Sequence, residues 1–211
     1  GINKSKLKVV KDTYLVGNYS INCKGNLIDL STPKIMSIVN TTPDSFYDGG
    51  KYNTIEKALQ KVELDISNNT TFIDVGGYSS KPNANHVTEE EELKRTIPTI
   101  EAILNSFPKA VISIDTFRGK VAKEAIEAGA AMINDISAFE LDKEMINTLS
   151  TYKVPYVLMH MQGTPQNMQE NPCYKNVVKD IIQFLDIKIS KLKTFGIHDI
   201  IIDPGFGFGK T

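Results

Sequence analysis

Short apolar runs alternate along the chain with polar loops and with segments of helical periodicity. The apolar runs lie at 35–39, 72–75, 111–114, 131–133, 154–159 and 200–202. Their lack of polar/apolar alternation is typical of parallel strands that are covered on both faces. Because apolar residues recur every three or four positions between the runs, we predict connecting helices. Six successive strand, loop and helix units indicate a parallel α/β architecture.

The beginning of the chain departs from this pattern. Residues 19–23 and 27–30 flank the turn sequence Lys24-Gly25-Asn26, which predicts a small β-hairpin that could plug one end of a barrel. Residues 1–18 alternate lysine with aliphatic residues and contain no motif, so we expect an exposed arm there. The folded domain is predicted to span residues 19–211.

The predicted strands end in polar side chains, which bears on the fold class. These strand-end residues are Asn40, Asp74, Asp115, Asn134, His160 and Asp203. In a TIM (β/α)8 barrel the C-terminal ends of all strands meet at one face, whereas a doubly wound sheet spreads its site over fewer loops. The shared polarity therefore favours the barrel. Since a barrel takes about 250 residues and eight units, we expect six of the eight units here, with the first and sixth strands as unpaired edges.

Composition limits the class of partner. The chain has 211 residues, 41% hydrophobic and 23% charged, which suffices for one domain with a sizeable core. A net charge of -1 gives no basic field for nucleic acid or an anionic membrane, so a small-molecule partner is favoured. No apolar run approaches the roughly 20 residues that span a bilayer, and we expect a cytoplasmic protein. Cys23 and Cys173 are far apart, which predicts free thiols in a reducing compartment.

Asp115, Asn134 and Asp203 are the main candidate binding residues, because each directly follows a buried strand. They could cap the next helix or brace a loop. They could also converge on a planar ligand with a donor-rich edge, where a carboxylate accepts two parallel N–H bonds and an amide both donates and accepts. Three such groups at three strand ends favour the ligand.

Two polar loops accompany these strand ends. Residues 41–50 and 76–85 are rich in hydroxyls, Pro and Gly, which is typical of lids over an active site. Asn40, before the first loop, could cap backbone or reach a metal-bound anion. Lys81, in the second, could contact an anionic group or be a solvated surface lysine. The sequence leaves both alternatives open.

His160 and the glycine-rich end complete the candidate chemistry. His160 suggests a metal or general-base role, but the chain has three histidines and His160 has no neighbouring ligand pair, so a structural role is favoured. Residues 205–211 resemble a phosphate-binding loop only superficially, because Pro204 stands where the first glycine is required. We expect these glycines to let the backbone pass close to a flat ligand, with Phe208 packed on it.

Several stretches together resemble the dihydropteroate synthase family, over about residues 19–211. They are NTTPDSFYDGG at 40–50, IDVGG at 73–77, ISIDT at 112–116, INDI at 133–136, MHMQG at 159–163 and DPGFGFGK at 203–210. The resemblance implies a TIM barrel that joins 4-aminobenzoate to (7,8-dihydropterin-6-yl)methyl diphosphate in folate synthesis, and that is a sulfonamide target. It implies early loss of diphosphate and electrostatic stabilisation, without a catalytic nucleophile.

The resemblance also assigns roles to individual positions. Asp115, Asn134 and Asp203 would hold the amino-pyrimidinone edge of the pterin, with Met159 and Phe208 along its faces. Asn40 would help to bind Mg²⁺ on the diphosphate. Two loops would order over the 4-aminobenzoate site, with Thr42, Pro43, Asp44, Phe46 and Asp48 in the first and Ser80 and Lys81 in the second.

Two departures from the family pattern bear on activity. Lys81 stands where the family commonly has an arginine, and a point charge cannot grip diphosphate with two parallel bonds. In the family, a Ser-Arg-Lys segment and an Arg-x-His segment lie on the seventh and eighth parallel strands of the barrel. Neither segment is in this chain, whose predicted parallel strands number six, and neither are the late helices of the family homodimer. We therefore expect the 211-residue chain alone to be inactive or nearly so.

Two other functions remain as alternatives. A corrinoid-linked pterin methyltransferase uses the same barrel, but the loop after Asn40 favours the synthase. The chain could also be a non-catalytic pterin-binding fragment. A corrinoid spectrum would indicate the first, and pterin uptake without product would indicate the second.

Overall fold

The computed structural model describes residues 19–41, 51–78 and 87–210, with side chains from residue 55 onward in the second range. The strands are β1 (Ser20–Cys23), β2 (Asn26–Asp29), β3 (Met36–Asn40), β4 (Phe72–Gly76), β5 (Val111–Asp115), β6 (Met132–Asp135), β7 (Tyr156–Met159) and β8 (Ile200–Asp203). The helices are α1 (Lys51–Ser67), α2 (Glu89–Ser106), α3 (Gly119–Glu127), α4 (Glu144–Tyr152) and α5 (Val177–Thr194). The predicted arm at 1–18 lies outside the described residues.

Strands β3 to β8 form a parallel sheet in consecutive order, β3-β4-β5-β6-β7-β8. A doubly wound sheet reverses its strand order at a switch point, whereas a barrel adds each strand beside the preceding one. The consecutive order therefore confirms the predicted barrel-type architecture. In the described residues β3 and β8 lie at the two ends of the sheet, and Ile38 and Ile202 are exposed there, as expected of edge strands.

One face of the sheet packs against the helices and forms the main core. Alternate strand residues point to this face, where they are almost completely buried; they are Val39, Ile73, Val75, Ile112, Ile114, Ile133, Tyr156 and Leu158. Helix residues such as Ile100, Val121 and Leu149 cover them. Full burial of each large aliphatic side chain contributes about 1.5–3 kcal/mol. The mostly apolar runs of the sequence therefore correspond to strands that have this covered face.

The predicted β-hairpin covers the N-terminal end of the opposite face, which we call the interior face. β1 and β2 pair antiparallel, and Ile21 and Cys23 pack with Phe72, Met132 and Val157 in a second apolar cluster. Two bonds fix the hairpin: the Asn22 amide donates to Asp199 Oδ2 (2.9 Å), and Lys24 Nζ donates to the Ile126 carbonyl (2.5 Å). The hairpin therefore closes the N-terminal end of the interior face, while the C-terminal ends of the strands stay uncovered by it.

Local sequence explains where the longer helices begin. Thr88 caps α2 by accepting a bond from the Glu91 amide (3.2 Å), and the first turn carries four glutamates that suit the helix dipole. Asn176 caps α5 by accepting from the Lys179 amide (3.0 Å). Across 19–41, 51–78 and 87–210, none of the helices combines the length and the hydrophobicity that crossing a bilayer requires.

Candidate active site at the strand ends

The parallel register aligns polar residues across the C-terminal end of the interior face. Asn40, Gly76, Asp115 and Asn134 lie side by side on β3 to β6. Met159 lies beside Asp203 on β7 and β8. Because side chains two residues apart on a strand share a face, all of these positions belong to the face opposite the helices. The structure therefore brings together predicted binding residues of five strands, β3 and β5 to β8.

Asp74 and Ser113 form the next layer down, below Asp115 and Asn134. Asp74 is 3% exposed, and its Oδ2 accepts a hydrogen bond from Asn134 Nδ2 (2.9 Å). Its Oδ1 is buried and has no hydrogen-bond partner among the described residues. Burial raises the pKa of the Asp74 carboxyl above its usual value. An acid buried with so few donors is costly, so its position requires a reason beyond packing.

Asp115 lies in a strongly acidic environment. Burial, followed by the negative charges of Asp74, Glu92 and Asp135, raises its pKa well above the usual value. Gly76 leaves space for this side chain, because a Cβ at residue 76 would come within 3.2 Å of Asp115 Oδ2. A ligand that donates hydrogen bonds or carries positive charge would relieve the repulsion between these acids.

Asp203 is held by the loop that follows β8. Its Oδ1 accepts a hydrogen bond from the Gly205 amide (2.7 Å), which leaves Oδ2 as the other acceptor. Gly205 has a φ of +69° and approaches the His160 carbonyl so closely that a Cβ would lie 2.1 Å from its oxygen. Lys210 Nζ donates to the carbonyls of His160 (3.0 Å) and Phe208 (2.8 Å). The glycine-rich loop is therefore anchored next to Asp203, with Phe208 half-buried.

His160 is buried and packs edge to face on Phe184, with ring centroids 4.8 Å apart. Burial, and then the charge of Lys210, lowers the pKa of this histidine. Within the ranges that the structure describes, no cluster of His, Cys, Asp or Glu could hold a metal ion by itself. Its Nδ1 is buried and has no hydrogen-bond partner among the described residues, so the structural role of His160 stays a prediction.

Asp135, the residue after Asn134, points to the helix face. Its carboxylate accepts hydrogen bonds from the Ser137 amide and hydroxyl (2.7 Å each), from the Phe139 amide (2.8 Å) and from the Tyr156 hydroxyl (2.7 Å). Asp135 therefore braces a loop. Such a role is the alternative to ligand binding that the sequence allows for Asp115, Asn134 and Asp203. Asn134 and Asp115 lie on the other face of the sheet.

A buried ion pair braces the backbone after Asp115. Glu92 pairs with Arg118 and accepts a bond from the Thr116 hydroxyl (2.6 Å). Arg118 also donates to the Val87 carbonyl (2.7 Å), and its guanidinium lies 4.9 Å from the centroid of the Phe117 ring. Glu92 and Arg118 lie 26 positions apart in the chain, so no local sequence pattern predicts their pairing.

Asn40 is half-buried at the last position of β3, and it is part of the strand rather than of the following loop. An amide oxygen is a hard ligand that suits Mg²⁺, and Mg²⁺ at phosphate sites takes few protein ligands because water and phosphate supply the others. Asn40 therefore fits a single contact to such an ion. The remaining predicted loop residues lie outside the described residues: Thr42, Pro43, Asp44, Phe46, Asp48, Ser80 and Lys81.

Sequence reasoning recognised Asp74 only as a polar residue at a strand end. The structure places it inside β4, one layer below Gly76, with Asn134 as its partner. Asp74 lies two residues after Phe72 in β4, so the two side chains share a face of the sheet. Strand periodicity alone could therefore have assigned Asp74 to the interior face. The partner could not be found in this way, since it is 60 residues further along the chain.

Comparisons with known proteins agree with this geometry. The family described as "Pterin binding enzyme" matches residues 36–211. Dihydropteroate synthase of Haemophilus influenzae is 44% identical over 186 residues, which are 87% of this chain and 67% of that protein. The enzyme of Clostridium beijerinckii is 48% identical over 179 residues, which are 84% of this chain and 64% of that protein. The chain thus spans about two thirds of the length of these relatives.

Solved structures give the same result. Dihydropteroate synthase of Yersinia pestis with a sulfonamide drug complex matches with a TM-score of 0.83 and 40% identity, over 91% of this chain and 70% of that chain. The enzyme of Xanthomonas albilineans with 4-aminobenzoic acid matches with a TM-score of 0.83 and 38% identity, over 92% and 69%. Its complex with 7,8-dihydropteroate gives 0.79 and 36%, over 91% and 68%.

Proposed function

The chain belongs to the pterin-binding enzyme family, where its relatives are dihydropteroate synthases, and we propose that the full-length protein is a dihydropteroate synthase. This transferase would join 4-aminobenzoate to (7,8-dihydropterin-6-yl)methyl diphosphate, forming 7,8-dihydropteroate and diphosphate. The observation that carries the proposal is the row of acceptors at the C-terminal end of the interior face. Relatives solved with 4-aminobenzoic acid and with 7,8-dihydropteroate support it.

The pterin would bind through its amino-pyrimidinone edge, which presents N–H donors. Asp115 and Asn134 lie next to each other in register, and Asp203 lies on β8 with Oδ2 available beside its bond to Gly205. A carboxylate can accept two parallel N–H bonds from such an edge. Met159, next to Asp203, and Phe208 would contact the flat faces of the ring.

In the reaction, the bond between the pterin methylene and the diphosphate oxygen breaks, and its electron pair leaves with the diphosphate. The amine nitrogen of 4-aminobenzoate then forms the new bond to the methylene carbon and loses a proton. Positive charge develops on the pterin between these events. This charge would favour the ionised form of Asp115, which burial and neighbouring acids otherwise oppose, and the ionised carboxylate would in turn stabilise the charge.

The diphosphate would be bound at the β3 end of the site. We assign Asn40 as the side chain that contacts Mg²⁺, an ion that would neutralise charge on the departing diphosphate. Thr42, Pro43, Asp44, Phe46 and Asp48 of the first loop, with Ser80 and Lys81 of the second, would cover the 4-aminobenzoate. The free thiols of Cys23 and Cys173 suit a reducing compartment, which supports a cytoplasmic location.

The direct test is turnover by the full-length protein. With both substrates and Mg²⁺, we expect dihydropteroate and diphosphate in equal amounts, and no dihydropteroate when 4-aminobenzoate is omitted. The residue 1–211 chain, tested in parallel, should give little or no product, because Ile38 and Ile202 leave apolar surface exposed at both ends of the sheet. Tight pterin binding by the full-length protein without any product would contradict the assignment as a synthase, and methyl transfer with a corrinoid would replace it.

A further inference from the structure

Asp74 is a buried acid on the interior face that the proposed reaction does not use. It lies in the layer directly below the strand-end row that contains Asp115 and Asn134. Its carboxylate is 3% exposed and makes a hydrogen bond to Asn134 Nδ2 of 2.9 Å, while Oδ1 has no partner in the described part of the chain. The Ser113 hydroxyl, in register beside Asp74, is its other polar neighbour within the same layer. The bond to Asn134 is therefore the contact that joins Asp74 to the strand-end site.

The contact determines the orientation of the Asn134 amide. Asparagine presents an oxygen acceptor on one side and an NH₂ donor on the other. Because Nδ2 is turned toward Asp74, Oδ1 is the atom left to face the strand-end site. The bond holds in either protonation state of Asp74, since a proton taken up by the acid can sit on Oδ1.

We propose that Asp74 is a positioning residue that fixes the Asn134 amide with its oxygen toward the ligand, so that the site offers acceptors at Asp115, Asn134 and Asp203. This inference rests on the proposed function, because the ligand concerned is the pterin. It also defines a selectivity: the site takes a planar ring whose edge donates hydrogen bonds, and it rejects an isosteric ring whose edge accepts them. With the amide reversed, two donors would face each other and the edge would be mispaired.

Asp135 shows that a purely structural acid has different surroundings here. It is buried on the opposite face of β6, one residue from Asn134, and it accepts bonds from Ser137, Phe139 and Tyr156. The donors to Asp135 are therefore all groups of the fold itself, as expected of an acid that stabilises the fold. Asp74 instead makes its contact with a proposed ligand-binding side chain.

The test is an exchange of the two side chains in the full-length protein. In Asp74→Asn, the new amide can either accept from Asn134 or donate to it, so both orientations of Asn134 become populated. We expect the Kd for (7,8-dihydropterin-6-yl)methyl diphosphate, measured by calorimetry, to rise about tenfold. Adding Asn134→Asp restores a defined pair, because the amide at 74 donates to one carboxylate oxygen and the other oxygen accepts from the pterin. The double variant should bind within about threefold of the wild type.

Asp135→Asn is the matched control, because it also removes a buried negative charge near Asp115 but leaves the partner of Asn134 unchanged; it should lower the melting temperature and change the Kd by less than about threefold. Two results would overturn the inference: wild-type affinity in Asp74→Asn, or a double variant that binds no better than the single one. If Asp74→Asn fails to fold, the double variant decides alone, since loss of pterin binding in a folded exchange variant is incompatible with the proposed role. Failure of the wild-type protein to bind pterin would instead refute the proposed function.

Discussion

Asp74 and Asp135 are both buried carboxylic acids of the parallel sheet, but they lie on opposite faces of it. Asp135 faces the helices and accepts bonds from Ser137, Phe139 and Tyr156. Asp74 faces the interior, accepts one bond from Asn134, and has an oxygen without a partner among the described residues. In both cases burial raises the pKa of the acid. The number of donors, rather than burial, therefore separates the two.

The same contrast applies to the faces as wholes. On the helix side, buried polar groups are paired within the fold, as in the ion pair of Glu92 with Arg118. On the interior face, Asp74, Asp115, Asn134 and Asp203 gather acceptors toward one open end. Such a face is unfavourable for stability until a donor-bearing ligand enters it. The following variants test this division between a face for stability and a face for binding.

The largest effect is expected from Arg118 in the helix layer. Arg118→Met leaves the buried Glu92 carboxylate without its cation, and breaking a buried pair from one side costs about 3–5 kcal/mol. Urea unfolding should measure this loss. Lys120→Met is the matched control, because Lys120 pairs with Glu89 at 3.4 Å in an exposed position and should cost less than about 1 kcal/mol. Equal losses in the two variants would show that the Arg118 pair is not an important brace.

Asp203→Asn should give the next largest effect, on binding. The asparagine oxygen can still accept from the Gly205 amide, while its NH₂ group replaces the acceptor that would meet the pterin. A lost charge-assisted hydrogen bond predicts about a 10- to 100-fold higher Kd for the pterin diphosphate, measured by calorimetry. Asp199→Asn is the control. Asp199 directly precedes β8, at the N-terminal end of the strand, and it accepts a hydrogen bond from the Asn22 amide of the hairpin. Weakened binding in that control would mean that the effect is not local to the strand ends.

Asp115 predicts a dependence of stability on pH. Because its pKa is raised in the folded state, the folded protein holds more protons than the unfolded chain above about pH 4, and the carboxyl loses stability as the pH rises toward its folded pKa. Asp115→Asn removes this loss. Urea unfolding between pH 4.5 and 7.5 should show the variant gaining on the wild type as the pH rises. A difference in unfolding free energy that stays constant across this pH range would argue against a raised pKa of Asp115 in the folded state.

Gly76→Ala should have the smallest effect. The new Cβ would come within 3.2 Å of Asp115 Oδ2, so the carboxylate must shift by a few tenths of an ångström. We expect about threefold weaker pterin binding. The effect should disappear when the same substitution is made in an Asp115→Ala background, because it acts through that side chain. An undiminished effect there would place its origin elsewhere.

The course of the chain could be predicted well from the sequence, because the signals are local. Short runs of mostly apolar residues such as 111–114 predicted the parallel strands, and the turn at Lys24-Gly25-Asn26 predicted the hairpin. The placement of Asp115, Asn134 and Asp203 at one end also followed, since parallel strands end on the same side. These predictions depend on periodicity and on the direction of the chain, which are both encoded over a few residues.

The pairing of buried polar groups could not be predicted in this way. The bond of Asp74 to Asn134 spans 60 residues and that of Arg118 to Glu92 spans 26. Such contacts depend on rotamers and on the stagger between neighbouring strands, and these follow from packing rather than from local pattern. A sequence pattern can therefore assign a residue to a face, but it does not identify the group that the residue meets there.

The central claim is tested most directly by thermal unfolding of the full-length wild type, Asp115→Asn and Asp135→Asn, each with and without the pterin diphosphate. Without ligand, Asp115→Asn should melt above the wild type and Asp135→Asn below it. With ligand at about 100 times the wild-type Kd, the wild type and Asp135→Asn should each gain about 2.7 kcal/mol and melt several degrees higher, while Asp115→Asn should shift little. A full ligand shift in Asp115→Asn together with none in a folded Asp135→Asn would contradict the division of the sheet into a binding face and a stabilising face.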